Sequence, residues 1–328
     1  MERDFSKLIK NSEAFALDVS SWTDYIDRKR DIIANVIAGA PTLANLVPVL
    51  GAKANTTVEV PVLDTNVAWS SANCVASRTG ASTTIVPRTA DVKRLKDREE
   101  LCLDELDAVL PMIQAAGAKN EELPFANLYI NLKVAKNAKA LEKAAWVSNV
   151  TGQTGNNAIT SGYLAIADGE TADLAYYSTF TGLTVANALT TLQTMIDNRS
   201  EAMFEMEDNV IYCSLPYFSI ISQAIRAAGY YAGTGLYENN GQMNQLGINE
   251  MLFPGTNVRI KGTHGLNGNN SLFLTNEMNL RYVTDLESDK DNVDIFYDKY
   301  HNELVSEITF AMAFQYDFPE NVVYLKKL

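Results

Sequence analysis

The chain has 328 residues, of which 47% are hydrophobic and 20% charged, a balance that suits a soluble globular protein with core enough for two domains or one elaborated domain. A net charge of −13 and a pI near 4.7 argue against a surface that grips nucleic acid through clustered lysine and arginine. Cys74, Cys102 and Cys213 are far apart with no C-x-x-C pair, and His264 and His301 are the only histidines, so a disulfide framework and a zinc site are both disfavoured.

The opening MERDFSKLIKNSEAF alternates charged and apolar residues and has no signal-peptide core, and no later run approaches the ~18 apolar residues of a membrane span. Folding in a reducing, intracellular setting is expected. Residues 1 to 20 read as a polar arm. From Ser21 the spacing of Trp22, Ile26, Ile33 and Ile37 predicts an amphipathic helix stopped by Gly39 and Pro41. It either packs on its own domain or docks on a neighbour.

Between Lys53 and Lys96, Val58, Val60 and Val62 alternate with Thr57, Glu59 and Pro61, and Thr83 to Val86 again favours strand. The connecting DTNVAWSSANCVASRTGAS is small and polar apart from Val67, Trp69 and Val75. Pro61 and Pro87 suit only edge strands, because proline cannot donate to a ladder. The pattern predicts a long two-stranded hairpin, which is marginal alone and must be held by this subunit or the next. A lid-like loop is the other reading.

From Asp97 to Gly117 a short strand running into a helix is expected, with Asp97, Glu99, Glu100, Asp104, Glu105 and Asp107 as a solvated face. Pro124 to Val147 then reads as one long helix: Phe125, Leu128, Leu132, Ala135, Ala138, Leu141 and Ala145 make a continuous stripe. Pro124 suits the first helical position, Glu121 and Glu122 face the positive end of the dipole, and Lys136, Lys139 and Lys143 face the negative end. At ~1.5 Å per residue the helix is on the order of 35 Å long. The glycines of VTGQTGNNAITSG form a turn rather than a phosphate loop, since no G-K-[ST] follows.

From Gly169 to about Asp291 the composition is mixed α/β. Val185, Leu189, Leu192 and Ile196 mark one helix, and Val210 to Cys213 a buried strand. Ser214 caps a second helix bearing Pro216, Phe218, Ile221, Ile225 and Ala228 and ended by Gly229. A glycine- and asparagine-rich excursion precedes strands at Val258 to Thr263 and Ser271 to Thr275, and Gly262, Gly265 and Gly268 match no dinucleotide fingerprint. The acidic DLESDKDNVD at 285 to 294 lacks the glycine and closing glutamate of a calcium hand and reads as a solvated turn. Residues Leu304 to Phe318 alternate with a strict two-residue period, a strand on the order of 45 Å at ~3.3 Å per residue. VVYL at Val322 to Leu325 adds another.

Hairpin, long helix, α/β insertion and long closing strand, in that order, resemble the major capsid proteins of tailed phages, the Hong Kong 97-type fold. Local wording reinforces this: LEKAAWVSNVTG at the helix end, and the closing LFLTNEMNLRYVTDLESDKDNVDIFYDKYHNELVSEITFAMAFQYDFPENVVYL, which looks like the C-terminal block of capsid proteins from phages of gut bacteria. The resemblance implies an α+β fold with five parts: an N-terminal arm (1–52); an extended loop (53–96); a peripheral domain (97–168) with its spine helix at 124–147; an axial domain (169–291); and closing peripheral strands (292–328). It implies an extended loop lying over a neighbouring subunit, pentamers and hexamers, and an icosahedral shell that holds double-stranded DNA by enclosure only, for which an acidic container is suited. The arm begins almost at Met1, so a separate scaffolding protein is expected, beside a portal and decoration proteins. No lysine lies between Lys53 and Lys93, so a shell without loop crosslinks is expected.

The residues expected to form the assembly interface are Trp22, Ile26, Ile33, Val58, Val60, Trp69, Arg78 and Arg88. No cofactor, metal, catalytic residue or membrane contact is expected. A nanocompartment shell subunit, whose N-terminal helix helps bind cargo, is the alternative on the same fold. A soluble α+β hydrolase is the alternative from another class, though no paired acid and base supports it.

Overall fold

The computed structural model describes residues 35–50, 52–65, 83–102, 125–150, 154–229, 249–284, 293–298, 300–301 and 303–328. Expectations for the arm, the hairpin tip, residues 103–124, the excursion at 230–248 and the acidic turn at 285–292 lie outside them. The chain divides into two compact units: Met1–Gly39, Arg94–Ala138 and Leu286–Phe310 form the smaller, and Ala40–Lys93, Lys139–Asp285 and Ala311–Leu328 the larger.

The larger unit is built on a mixed six-stranded sheet. Its strands are β5 (Tyr176–Phe180), β6 (Asn209–Ser214), β7 (Glu250–Leu252), β8 (Arg259–Thr263), β9 (Leu272–Asn276) and β13 (Val322–Lys327), in the order β5-β13-β9-β6-β8-β7. β6 and β9 are buried at every position, as strands covered on both faces must be. On one face, α3 (Ala188–Asp197) and α5 (Leu215–Ala227), with the short α4 (Glu201–Glu205) between them in sequence, press Leu192, Ile196, Ile221 and Ile225 against Ile211, Ile260, Leu272 and Leu274. The alternate residues Tyr212 and Phe273 point the other way. There they meet Trp146, with ring centroids 4.7 and 5.6 Å apart. Trp146 stands near the end of the long helix α1 (Phe125–Val147), and Tyr163 of the short helix α2 (Tyr163–Gly169) packs edge-on against it.

Ser214 caps α5 as expected, accepting a bond from the Tyr217 N–H, with Pro216 in the first turn. Ala228 is exposed at the cap position, and Ala224 takes the buried place on that face. α3 starts at Ala188, so Val185 lies in the preceding turn and is exposed. The last strand, β13, runs between β5 and β9, and so belongs to this sheet.

The second sheet of the larger unit sets β1 (Pro48–Leu50) parallel to β10 (Leu280–Thr284), and β10 antiparallel to the second half of β12 (Glu303–Tyr316), from Thr284↔Met312 to Leu280↔Tyr316. The period-2 pattern of this strand suggests one apolar and one wet face, but Ala311, Met312, Ala313, Phe314, Gln315 and Tyr316 are all buried. Its alternation separates large from small residues. The small face, Ala311 and Ala313, leaves room for another layer.

In the smaller unit the first half of β12 pairs antiparallel with β11 (Val293–Asp298), from Asp298↔Glu303 to Val293↔Ile308. β4 (Lys93–Cys102) also pairs with β12, and Lys96 bonds Glu307 at 2.7 Å. This strand begins four residues before the strand expected from Asp97. In α1, Leu132 and Ala135 are exposed, so the predicted stripe holds from Ala138 onward rather than along the whole helix. No basic residue stands in the last turn of α1, so Lys143 falls just short of the position that best opposes the dipole. A helical turn at 35–38 ends at Gly39, where an added Cβ would lie 2.9 Å from the Ala138 Cβ.

Candidate functional site

Strands β2 (Thr57–Thr65) and β3 (Thr83–Asp91) form the expected hairpin, paired from Thr57↔Asp91 through Val60↔Arg88 and Pro61↔Pro87 to Thr65↔Thr83. Opposed residues of an antiparallel pair share a face, so Val58, Val60, Arg88 and Ala90 point together. That face lies on the small side of β12: Val60 and Ala90 join Val283, Ala311 and Ala313 in one buried cluster, with Val58 packed at its margin. At the foot, Asn55 and Thr56 exchange backbone bonds of 2.9 and 3.0 Å with Val92. The base of the hairpin is therefore held by its own subunit.

Arg88 carries the polar part of this anchor. Its Nη2 donates to both oxygens of Glu170, at 2.9 and 2.7 Å, and to Gln315 Oε1 at 3.3 Å. The guanidinium lies 5.1 Å from the centre of the Tyr316 ring. Tyr316 donates its hydroxyl to Glu170 at 2.7 Å, and Gln315 Nε2 donates to the Thr89 carbonyl at 2.8 Å. Burial, and then the bond to Glu170, push the Tyr316 phenol far above its ordinary range, which keeps it a proton donor.

A second tie joins three separated segments. The Glu142 carboxylate, fully buried, accepts from the Thr42 N–H (3.0 Å), the Thr42 hydroxyl, the Thr263 hydroxyl (2.6 Å) and Trp146 Nε1 (3.2 Å). Among the described residues no cation pairs with it; donors alone satisfy it. Gly265 is required beside it, since an added Cβ would lie 2.5 Å from Trp146 Cδ1 and 2.6 Å from the Glu142 carbonyl oxygen.

In the smaller unit, Lys133 of α1 bonds Asp97 at 3.1 Å and also Glu99, and Asn137 donates to Asp97 at 2.9 Å. Burial disfavours the Lys133 charge, but the bonds to Glu99 and Asp97 outweigh that and raise its pKa. These two acids, expected on a solvated face, are partners of the helix instead.

Nothing described resembles a reaction centre. Among the described residues no three of His, Cys, Asp or Glu cluster as metal ligands, and no helix is long and apolar enough to cross a membrane. Burial pushes the Cys213 thiol far above its usual range, so this thiol stays protonated. An open groove of about 400 Å³ on α3, lined by Leu189, Gln193, Asp197, Phe253 and Pro254, holds one carboxylate, already bonded by Gln193 at 2.7 Å. His264 stands in a 3₁₀ turn after β8.

Of the eight expected interface residues, Trp22, Ile26, Ile33, Trp69 and Arg78 lie outside the described residues. Val58, Val60 and Arg88 come together at the hairpin base, where their contacts are within the chain. Their anchoring partners Glu170, Gln315 and Tyr316 were not anticipated, because nothing local links them to position 88. Glu142 carried a readable sign: it lies four residues before Trp146, on the buried side of the helix.

No family model matches the chain, and no curated protein matches it in sequence. Its fold is similar to that of solved chains. A chain of the satellite phage P4 procapsid including size determination (Sid) protein superposes with a TM-score of 0.57 at 9% identity, over 90% of each chain. A chain of Mycobacterium phage Bobi gives 0.51 at 12% identity, over 88% of this chain and 91% of that one. The capsid of the empty GTA particle gives 0.51 at 12% identity, over 88% and 90%. At such identities the likeness is one of fold, and it spans nearly the whole chain: this protein has the α+β fold found in these phage and GTA capsid particles.

Proposed function

We propose that this chain is the major capsid protein of a tailed double-stranded DNA bacteriophage, a Hong Kong 97-type subunit that closes with its copies into pentamers and hexamers of an icosahedral shell. The observation that carries this reading is the fold likeness to the P4 procapsid chain over 90% of both chains. The anchored hairpin supports it: a two-stranded ribbon is marginal alone, and one anchored at its base is suited to reach another molecule. The division into arm, extended loop, peripheral and axial parts belongs to the same reading, as do the interface roles of Trp22, Ile26, Ile33, Trp69 and Arg78.

The subunit performs no chemistry. Its partners are its own copies, then portal, scaffolding and decoration proteins, with DNA held by enclosure and without loop crosslinks. Assembly takes place in the bacterial host cytoplasm and the product is the virion shell. No observation favours a nanocompartment. The test is electron microscopy and size-exclusion chromatography of the expressed chain. Rings or closed shells are expected, and Trp69→Ala should weaken assembly more than subunit folding. A chain that remains monomeric at all concentrations and with its genomic neighbours co-expressed would overturn the proposal.

A further inference from the structure

We propose that Arg88 is a positioning residue that fixes the direction in which the β2–β3 hairpin leaves the subunit, and thereby whether the hairpin can meet a neighbouring copy. The second clause rests on the shell reading above; the first does not.

The apolar part of the anchor cannot set a direction. Val60 and Ala90 rest on Ala311 and Ala313, which are small and flat, and hydrophobic contact is non-directional. A ribbon held only this way could pivot on its base at little cost. Arg88 removes that freedom because it is tied to two different elements. One tie is to Glu170, the residue that caps the end of α2, through short charge-assisted bonds to both oxygens. The other is to the end of β12, through Gln315 and the face of Tyr316. Two further bonds close the frame: Tyr316 to Glu170, and Gln315 back to the Thr89 carbonyl of the hairpin itself. Two attachment points define an angle where one would leave a pivot.

The position along the ribbon matters as much. Val60↔Arg88 is the pair immediately before Pro61↔Pro87, after which the strands continue to Thr65↔Thr83. The frame thus grips the ribbon at the step before two residues of fixed φ, and small rotations there become large displacements further out. The side chains of Arg88 and Glu170 are 16% and 28% exposed, so water screens the pair only in part.

Purified subunits test the first clause by hydrogen–deuterium exchange. Arg88→Met keeps much of the side chain's stem and removes the guanidinium. It should speed exchange in residues 57–65 and 83–91 by about ten- to a hundredfold, the range for losing hydrogen bonds to a charged group. Exchange in β6 and β9 should stay as in the wild type, and the swap Arg88→Glu with Glu170→Arg should restore part of the hairpin's protection. Glu170→Gln, which keeps the packing, should give a smaller increase in the same two segments, and it serves if Arg88→Met fails to fold. Unchanged hairpin exchange in the variants that fold, or an equal rise throughout the six-stranded sheet, would overturn the proposal.

Electron microscopy then tests the second clause: the loosened variant should give irregular particles or none under conditions where the wild type closes shells. Regular shells from a variant with a loosened hairpin would overturn the link to assembly alone. A wild-type chain that never assembles would remove the shell reading and leave the exchange result standing.

Discussion

Replacing Glu142 with leucine should cost the larger unit about 2–5 kcal/mol, and the size follows from what each donor has left. The carboxylate is fully buried and takes four bonds. Leucine takes none. The two threonine protons can turn toward other acceptors, and Trp146 Nε1 keeps the Thr42 hydroxyl at 3.1 Å, but the Thr42 N–H is fixed and left unpaired. One stranded backbone donor costs about 1–3 kcal/mol, and the bonds lost to a charged acceptor add to it. Part is returned, because a carboxylate no longer has to be kept out of water. Glutamine is the discriminating control. Its oxygen can replace the one that accepts from Thr42 N–H, and its amide can donate to the two threonine hydroxyls, so the loss should be about 1–2 kcal/mol. Urea unfolding followed by far-ultraviolet circular dichroism and tryptophan fluorescence measures both. If leucine costs under about 1 kcal/mol, or glutamine costs as much as leucine, the four-bond account of this carboxylate is wrong.

Gly265→Ala places a methyl 2.5 Å from Trp146 Cδ1 and 2.6 Å from a backbone oxygen, so it should lower stability by about 1–3 kcal/mol, and an unchanged urea midpoint would contradict the close approach. At the β11–β12 turn, the bond to Asp298 first, with Glu303 and Glu100 adding to it, holds the His301 pKa above its ordinary value, while His301 lowers that of Asp298. The His301 contribution is therefore present below its unfolded pKa and lost as pH rises through its folded one. Nuclear magnetic resonance titration should find a raised value that Asp298→Asn returns toward normal; no difference between the two would refute the pairing. Cys213, buried with its thiol pushed up, should resist a thiol reagent in the native chain and react on unfolding. Prompt native labelling of its peptide would show that the sheet opens.

Periodic elements were legible because their covering is local or uniform. The caps of α5 and the strands β6, β8 and β9 follow from patterns within a dozen residues. Where pattern and structure differ there is one cause: whether a face is wet or dry depends on a partner distant in sequence. Asp97 and Glu99 read as solvated until Lys133 is seen opposite them. Leu132 belongs to the predicted continuous stripe, yet it stands 55% exposed. Gln315 read as the wet side of β12, whereas it turns inward to hold Thr89 and Arg88. The partner of Arg88 within the chain was out of reach for a related reason: Glu170 is 82 residues away in sequence.

An antiparallel pair either exchanges its N–H and C=O groups or turns them outward, in alternation. Two prolines can face each other without breaking the ladder only at an outward-turned pair, and Pro61 and Pro87 are direct partners. The donors they lack are then the outward ones, one on each edge of the ribbon at the same level. A two-stranded ribbon has both edges open and would otherwise invite pairing with any passing strand, the usual route to edge-to-edge aggregation. With Arg88 fixing its direction on one side of the proline step, the ribbon has both its edges blunted at that step, next to the place where it is anchored.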